Sequence, residues 1–190
     1  MKTKYTKIYD VFVIIGFIIS FALITACSSE NKVVLEKFSL GEAEVLVCPV
    51  HILDNQKSSY DTISSKKIVD YINKNKYAKA STTQLYPPAN NEWRANEAKM
   101  LTISINLFIE FVKENSFPEN TYILYTEFLK SGQNSNIRGV HYCLLNNKGD
   151  IAMRGLINSH WKEFQKVNPK TNEDCVAVFI NGFEGKIASH

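Results

Sequence analysis

The sequence has almost no excess of charge of either sign, since 22 lysines and arginines face 19 aspartates and glutamates among its 190 residues. The lysines are scattered rather than clustered, which argues against a nucleic-acid partner. The eight glycines are spread along the chain and form no phosphate-binding loop. With 45% hydrophobic and 22% charged residues, the composition is that of an ordinary globular domain.

Catalytic motifs are also missing from the sequence. It contains no G-x-S-x-G pattern, and no serine lies between glycines at a predicted strand-to-helix turn. No pair of carboxylates recurs at a helical or strand interval, and the paired CxxC motifs of zinc ribbons are absent. The sequence therefore predicts no cofactor, and it favours a non-enzymatic binding or assembly role over an enzymatic one.

The first 26 residues have the three parts of a signal peptide. Three lysines precede an uncharged apolar stretch over residues 11–26, which is shorter than the ~20 residues that a membrane-spanning helix needs. The stretch leads into LITAC, whose cysteine is Cys27. This sequence resembles the lipobox of bacterial lipoproteins, in which the cysteine receives a diacylglyceryl group and cleavage before it follows. The resemblance implies that Cys27 is lipidated; a plain secretory signal and an uncleaved signal anchor are the alternatives.

The predicted lipid anchor is followed by a short polar stretch. Residues 27–40 are predicted to be a lipidated tether and residues 41–190 a single globular α/β domain. The residue directly after Cys27 is Ser28 and not an aspartate. By similarity to the sorting rule of enteric bacteria, this favours the outer membrane over the inner membrane. The domain is then expected on the periplasmic side of the outer membrane or at the cell surface. The predicted associations are therefore the membrane through Cys27 and an envelope protein partner, without nucleic acid.

Alternating strand and helix patterns predict a mixed α/β fold with the order β-α-β-α-β-β-β-α. About five strands form one mixed sheet, and three helices pack on it. The strands are predicted at residues 45–50, 78–83, 121–129, 137–145 and 151–157. The first two helices are predicted at residues 63–74 and 91–115. The last helix is predicted to begin at Thr171 and to end at Gly182 and Gly185. The polar segment 54–62 is predicted to be a loop. This order of elements resembles that of α/β periplasmic lipoproteins such as penicillin-binding-protein activators and curli-secretion lipoproteins.

Three cysteines remain besides the predicted lipidation site, and two of them lie near histidines. Cys48 and His51 are three residues apart, and His141 and Cys143 share one face of a predicted strand. Two thiolates and two imidazoles would suit structural zinc, although Cys48 and His51 point to opposite faces if one strand continues through both. The alternatives are three buried thiols, Cys175 included, or one disulfide with one leftover thiol.

Two tryptophans lie beside polar segments. Trp93 and Arg94 follow a Pro-Pro loop, and His160 and Trp161 follow the last predicted strand. Tryptophan and arginine are enriched at binding hot spots, so these four residues are candidates for contacting a partner; the alternative is that the tryptophans cap the ends of the core. The sequence thus predicts an envelope lipoprotein that binds another component, with a metal-binding or hydrolytic lipoprotein as the alternative.

Overall fold

A computed structural model of the protein describes residues 32–38, 40–55, 57–91, 96–132, 134 and 136–188. The predicted signal peptide, Cys27, Trp93 and Arg94 lie outside these residues. In this described part of the chain, every helix is too short or too polar to cross a membrane.

The described part of the chain contains seven strands and five helices. The helices are α1 (residues 32–38), α2 (Thr62–Lys74), α3 (Glu97–Asn115), α4 (Lys162–Val167) and α5 (Asn172–Ala188). The strands are β1 (Ala43–Val47), β2 (Val50–Asp54), β3 (Lys57–Asp61), β4 (Ala78–Thr82), β5 (Thr121–Ser131), β6 (Asn136–Asn146) and β7 (Ile151–Asn158). The mixed α/β class is confirmed, with more strands and more helices than the sequence predicts.

All seven strands form one mixed sheet around the long strand β5. The strands β1 and β2 follow each other along one side of β5, both parallel to it, and β6 lies antiparallel on the other side. Beyond them, β4 pairs parallel with β1, β3 pairs antiparallel with β2, and β7 pairs antiparallel with β6. Because β5 has neighbours on both sides, its backbone is buried in the centre of the sheet.

Helices cover both faces of the sheet. The helices α1, α2 and α5 pack on one face, where the core includes Leu124 and Phe128 of β5. On the other face α3 packs over Ile123 and Tyr125. Since successive side chains of a strand point to opposite faces, the odd-numbered residues of β5 face α3. This alternation places the carboxylate of Glu127 beneath α3.

The segment predicted to be a loop over residues 54–62 instead contributes the end of β2 and the whole of β3. The prediction is wrong because β3 is an edge strand whose sequence, KSSYD, has no buried side chain and hence no apolar alternation. The hairpin turns at Asn55, which has a positive φ of 52°. Its side chain also binds the backbone N–H and C=O of Gly132, which fixes the hairpin against the β5–β6 connection.

The predicted helix termini are corrected in three places. Asp61 caps α2 by accepting the backbone N–H groups of Ile63 and Ser64, so the helix begins one residue before its predicted start. At the other end of the chain, α5 continues through Gly182, because the missing side chain there leaves room for Ile157. The predicted tether 27–40 also extends too far, since α1 is helical and Phe38 is fully buried in the core.

Candidate active site

A row of polar side chains crosses the sheet beneath α3. The strand register sets His51 of β2 beside Glu127 of β5, and Glu127 beside His141 of β6. All three side chains have 0% exposure. Tyr60 of β3 continues the row beyond His51. A buried carboxylate in such a row is tolerated only if hydrogen-bond donors surround it.

The carboxylate of Glu127 has four side chains within hydrogen-bond distance. Its Oε1 lies 2.9 Å from Nδ1 of His51, and its Oε2 lies 3.0 Å from Nδ1 of His141. Tyr125 donates its hydroxyl to Oε1 at 3.1 Å, and Ser104 of α3 lies 3.2 Å from Oε1 and 3.3 Å from Oε2. Burial alone raises the pKa of Glu127, but the hydrogen bonds and charge interactions with the two histidines outweigh it and lower this pKa to about 2. Glu127 is therefore ionised at neutral pH.

His51 connects this buried carboxylate to a serine at the surface. Because an ionised carboxylate only accepts hydrogen bonds, Nδ1 of His51 carries the hydrogen that it donates to Glu127. When the ring is neutral, Nε2 has a lone pair, and this atom lies 2.6 Å from Oγ of Ser58. The Ser58 hydroxyl donates to that lone pair. Ser58 is exposed, so the chain of hydrogen bonds reaches from solvent to the core.

The β2–β3 hairpin is what holds Ser58 beside His51. Its register pairs Ser58 with Leu53 and Tyr60 with His51. Paired residues of antiparallel strands share a face, so Ser58 lies diagonally next to His51 on the side that α3 covers. The resulting order of hydroxyl, imidazole and carboxylate is that of the Ser-His-Asp/Glu triad of serine hydrolases, in which the imidazole takes the serine proton.

The second histidine of the row has no such route to the surface. His141 binds Glu127 through Nδ1, while its buried Nε2 has no hydrogen-bond partner among the described residues. An unsatisfied buried polar atom costs on the order of 1–3 kcal/mol. His141 therefore orients Glu127, and of the two described histidines in the row only His51 has a hydrogen bond that leads to the surface.

The three cysteines of the folded domain, Cys48, Cys143 and Cys175, are free and buried. Three buried thiols are thus confirmed among the alternatives that the sequence left open. Burial raises the pKa of all three thiols, to about 12 for Cys143 and Cys175. They are protonated at neutral pH, and a protonated thiol is a poor nucleophile and metal ligand.

The predicted zinc ligands have other partners in this arrangement. Nδ1 of His51 and Nδ1 of His141 both face Glu127, and Cys48 and Cys143 belong to the apolar cluster beneath α3. Within the described ranges there is no group of three or more His, Cys, Asp or Glu side chains that could hold a metal ion. The structure lends the zinc interpretation no support.

Of the four predicted partner-binding residues, Trp161 lines a groove in the described surface. This groove has a volume of about 630 Å³ and lies at the free edge of β7, between α3 and α5. Trp161 is 51% exposed there, close to Arg154 and Lys186. His160 is exposed but does not line the groove, and Trp93 and Arg94 lie outside the described residues.

Sequence reasoning missed both Glu127 and Ser58. Glu127 is the only charged residue in the apolar strand sequence TYILYTEFL, and a charge within such a run signals a buried carboxylate with partners. Ser58 gives no comparable signal, because its position depends on the register of a hairpin that the sequence does not predict.

Comparison of the chain with protein-family models, with curated proteins and with solved structures finds no match.

Proposed function

We propose that the protein is a serine-type acyl hydrolase, with Ser58 as the nucleophile, His51 as the general base and Glu127 as the carboxylate that orients His51. One observation carries this proposal. An unbroken chain of hydrogen bonds runs from Oγ of Ser58 to Nε2 of His51 at 2.6 Å, and from Nδ1 of the same ring to Oε1 of Glu127 at 2.9 Å. Both distances are within the range needed to activate a hydroxyl.

The reaction of an ester at this site takes two steps. Oγ of Ser58 attacks the carbonyl carbon while its proton passes to Nε2 of His51, and a tetrahedral intermediate forms. The intermediate collapses when the bond to the alcohol oxygen breaks, and His51 returns the proton to the leaving alcohol. Water then attacks the acyl-serine with the same help from His51, which releases the acid and restores the Ser58 hydroxyl. Glu127 stays ionised and stabilises the protonated imidazole.

The free edge of β3 supplies hydrogen-bond donors for the negative oxygen of this intermediate. Among the strands that the structure describes, β3 pairs with β2 alone. One row of its backbone N–H groups therefore points away from the sheet. We place the oxyanion against those N–H groups that lie next to Ser58, because fixed backbone donors stabilise a developing oxyanion.

A fluorophosphonate should label Ser58 in the detergent-solubilised full-length protein. The activated hydroxyl displaces fluoride from phosphorus, and mass spectrometry of the peptides locates the adduct. The variant Ser58→Ala should lose the label, whereas Ser59→Ala should keep it, because residue 59 points to the opposite face of β3. Absence of the adduct from Ser58 in the wild type would contradict the proposed function.

We also propose that Cys27 carries acyl chains and tethers the domain to the cell envelope, with the outer membrane favoured. The uncharged apolar stretch and the lipobox-like LITAC sequence support this proposal. Two or three chains, at ~0.8 kcal/mol per buried CH₂, are enough for stable anchoring. A tethered hydrolase would act on acyl compounds within the envelope.

The variant Cys27→Ser should take up no labelled palmitate and should leave the membrane fraction. A serine hydroxyl does not form the thioether that attaches the diacylglyceryl group. The variant Ser29→Ala is the control, and we expect it to be labelled and to fractionate as the wild type does. If Cys27→Ser keeps both the label and the membrane association, the lipid anchor is not at Cys27.

The groove at β7 favours a second candidate function, the binding of another envelope component. Its volume is in the range of ligand-binding clefts, and Trp161 and Arg154 are of the residue types that dominate binding hot spots. This binding would need no catalysis. It should therefore persist in Ser58→Ala, which distinguishes it from hydrolysis.

A further inference from the structure

Two tyrosine rings lie in a row with the ring of His51, the proposed general base. The ring centroid of Tyr60 lies 5.5 Å from that of His51, and Tyr60 is on the same face of β3 as Ser58. The ring of Tyr86 meets Tyr60 edge to face, with centroids 5.0 Å apart and planes at 82°. Tyr86 and its neighbour Leu85 are among the few large apolar side chains exposed on the described surface, at 48% and 40%.

The hydroxyl of Tyr60 is already used within the protein. It donates to the backbone carbonyl of Pro87, which fixes the ring against the segment that carries Tyr86. Burial raises the pKa of Tyr60, with a smaller contribution from Cys48, so the phenol stays neutral. Tyr60 therefore presents a fixed, uncharged ring next to His51 rather than a polar group.

We propose that this site hydrolyses esters of aromatic acids, whose ring packs against Tyr86 and Tyr60 while the carbonyl carbon meets Oγ of Ser58. The inference rests on the proposed hydrolase function. Aromatic rings favour edge-to-face and offset contacts with centroids 4.5–7 Å apart, and the exposed ring of Tyr86 leaves one such contact open. Tyr86 contacts Tyr60, which in turn contacts the ring of His51 and shares a face of β3 with Ser58, so the two rings lead from the surface to the reacting groups.

The test compares p-nitrophenyl phenylacetate with p-nitrophenyl acetate, which share a leaving group and differ in the acyl ring. In the full-length protein in detergent, with the rate of Ser58→Ala subtracted as background, kcat/KM should be about tenfold higher for the phenylacetate. Tyr86→Ala should reduce that preference by roughly threefold to tenfold, because it removes one aromatic contact. Tyr86→Phe keeps the ring and should keep the preference. Leu40→Ala, which removes an exposed apolar side chain outside both sites, should also keep it.

The outcomes separate this inference from the proposed function. If fluorophosphonate labels Ser58 and both esters are hydrolysed, but Tyr86→Ala has the same preference as the wild type, only the aromatic acyl site is wrong. A preference for the acetate would likewise overturn it. If neither ester is hydrolysed above the Ser58→Ala background and Ser58 is not labelled, both proposals fail together.

Discussion

Replacing Glu127 with glutamine should slow the acylation of Ser58 by about 10³- to 10⁴-fold, the scale on which hydrolases lose activity when the triad carboxylate becomes an amide. The amide offers an oxygen on one side and an NH₂ group on the other. If the NH₂ group faces His51, Nδ1 must accept, the ring hydrogen moves to Nε2, and Ser58 can no longer donate to it. If the oxygen faces His51, the tautomer survives but the negative charge that stabilises the protonated ring is gone.

The rate constant for fluorophosphonate labelling of Ser58 measures this effect, with circular dichroism to show that Glu127→Gln is folded. Ser104→Ala is the matched control. It removes only the 3.2 and 3.3 Å contacts to the same carboxylate, and a hydrogen bond to a charged group is worth about 1.5–3 kcal/mol, which corresponds to at most about a 150-fold change. A Glu127→Gln variant that labels as fast as the wild type would show that Glu127 has a structural role alone.

The long elements of the fold and the short strand β4 can be predicted from the sequence, whereas β3 and α4 cannot. The final strands β5 to β7 and the end of α3 have the apolar patterns of their buried faces, so their ranges are close to the predicted ones. The strand β3 faces solvent along most of its length and resembles a loop in composition. The helix α4 has only six residues, too few to show a helical period.

For a related reason, only part of the candidate site could be predicted from the sequence. His51 and His141 attract attention because of their nearby cysteines, but their shared partner is Glu127, which is 76 residues from His51 and 14 from His141. That meeting requires β2 to lie beside β5 rather than beside β4, the strand that follows the next helix. Local patterns predict strands, not which strands become neighbours.

The same buried carboxylate has a consequence for stability in acid. The pKa of Glu127 is about 2 in the folded protein and 4.5 in a free side chain. A depressed folded-state pKa means that the unfolded chain binds the proton more tightly. The stabilisation, about 3 kcal/mol at 1.36 kcal/mol per pKa unit, is therefore complete above pH 4.5 and lost as the pH falls through 2.

Urea unfolding at pH 6 and at pH 3 tests this expectation when the wild type and Glu127→Gln are compared. Other carboxylates titrate equally in both proteins, so the difference between their free energies of unfolding reports Glu127 together with its contacts to His51 and His141. We expect that difference to fall by about 2 kcal/mol between the two pH values. Glu173→Gln removes a surface ion pair with Lys67 and should cost under about 1 kcal/mol at pH 6. Parallel pH profiles for the wild type and Glu127→Gln would mean that the hydrogen bonds from His51 and His141 do not hold the carboxylate ionised, and the triad would then lack its charged member.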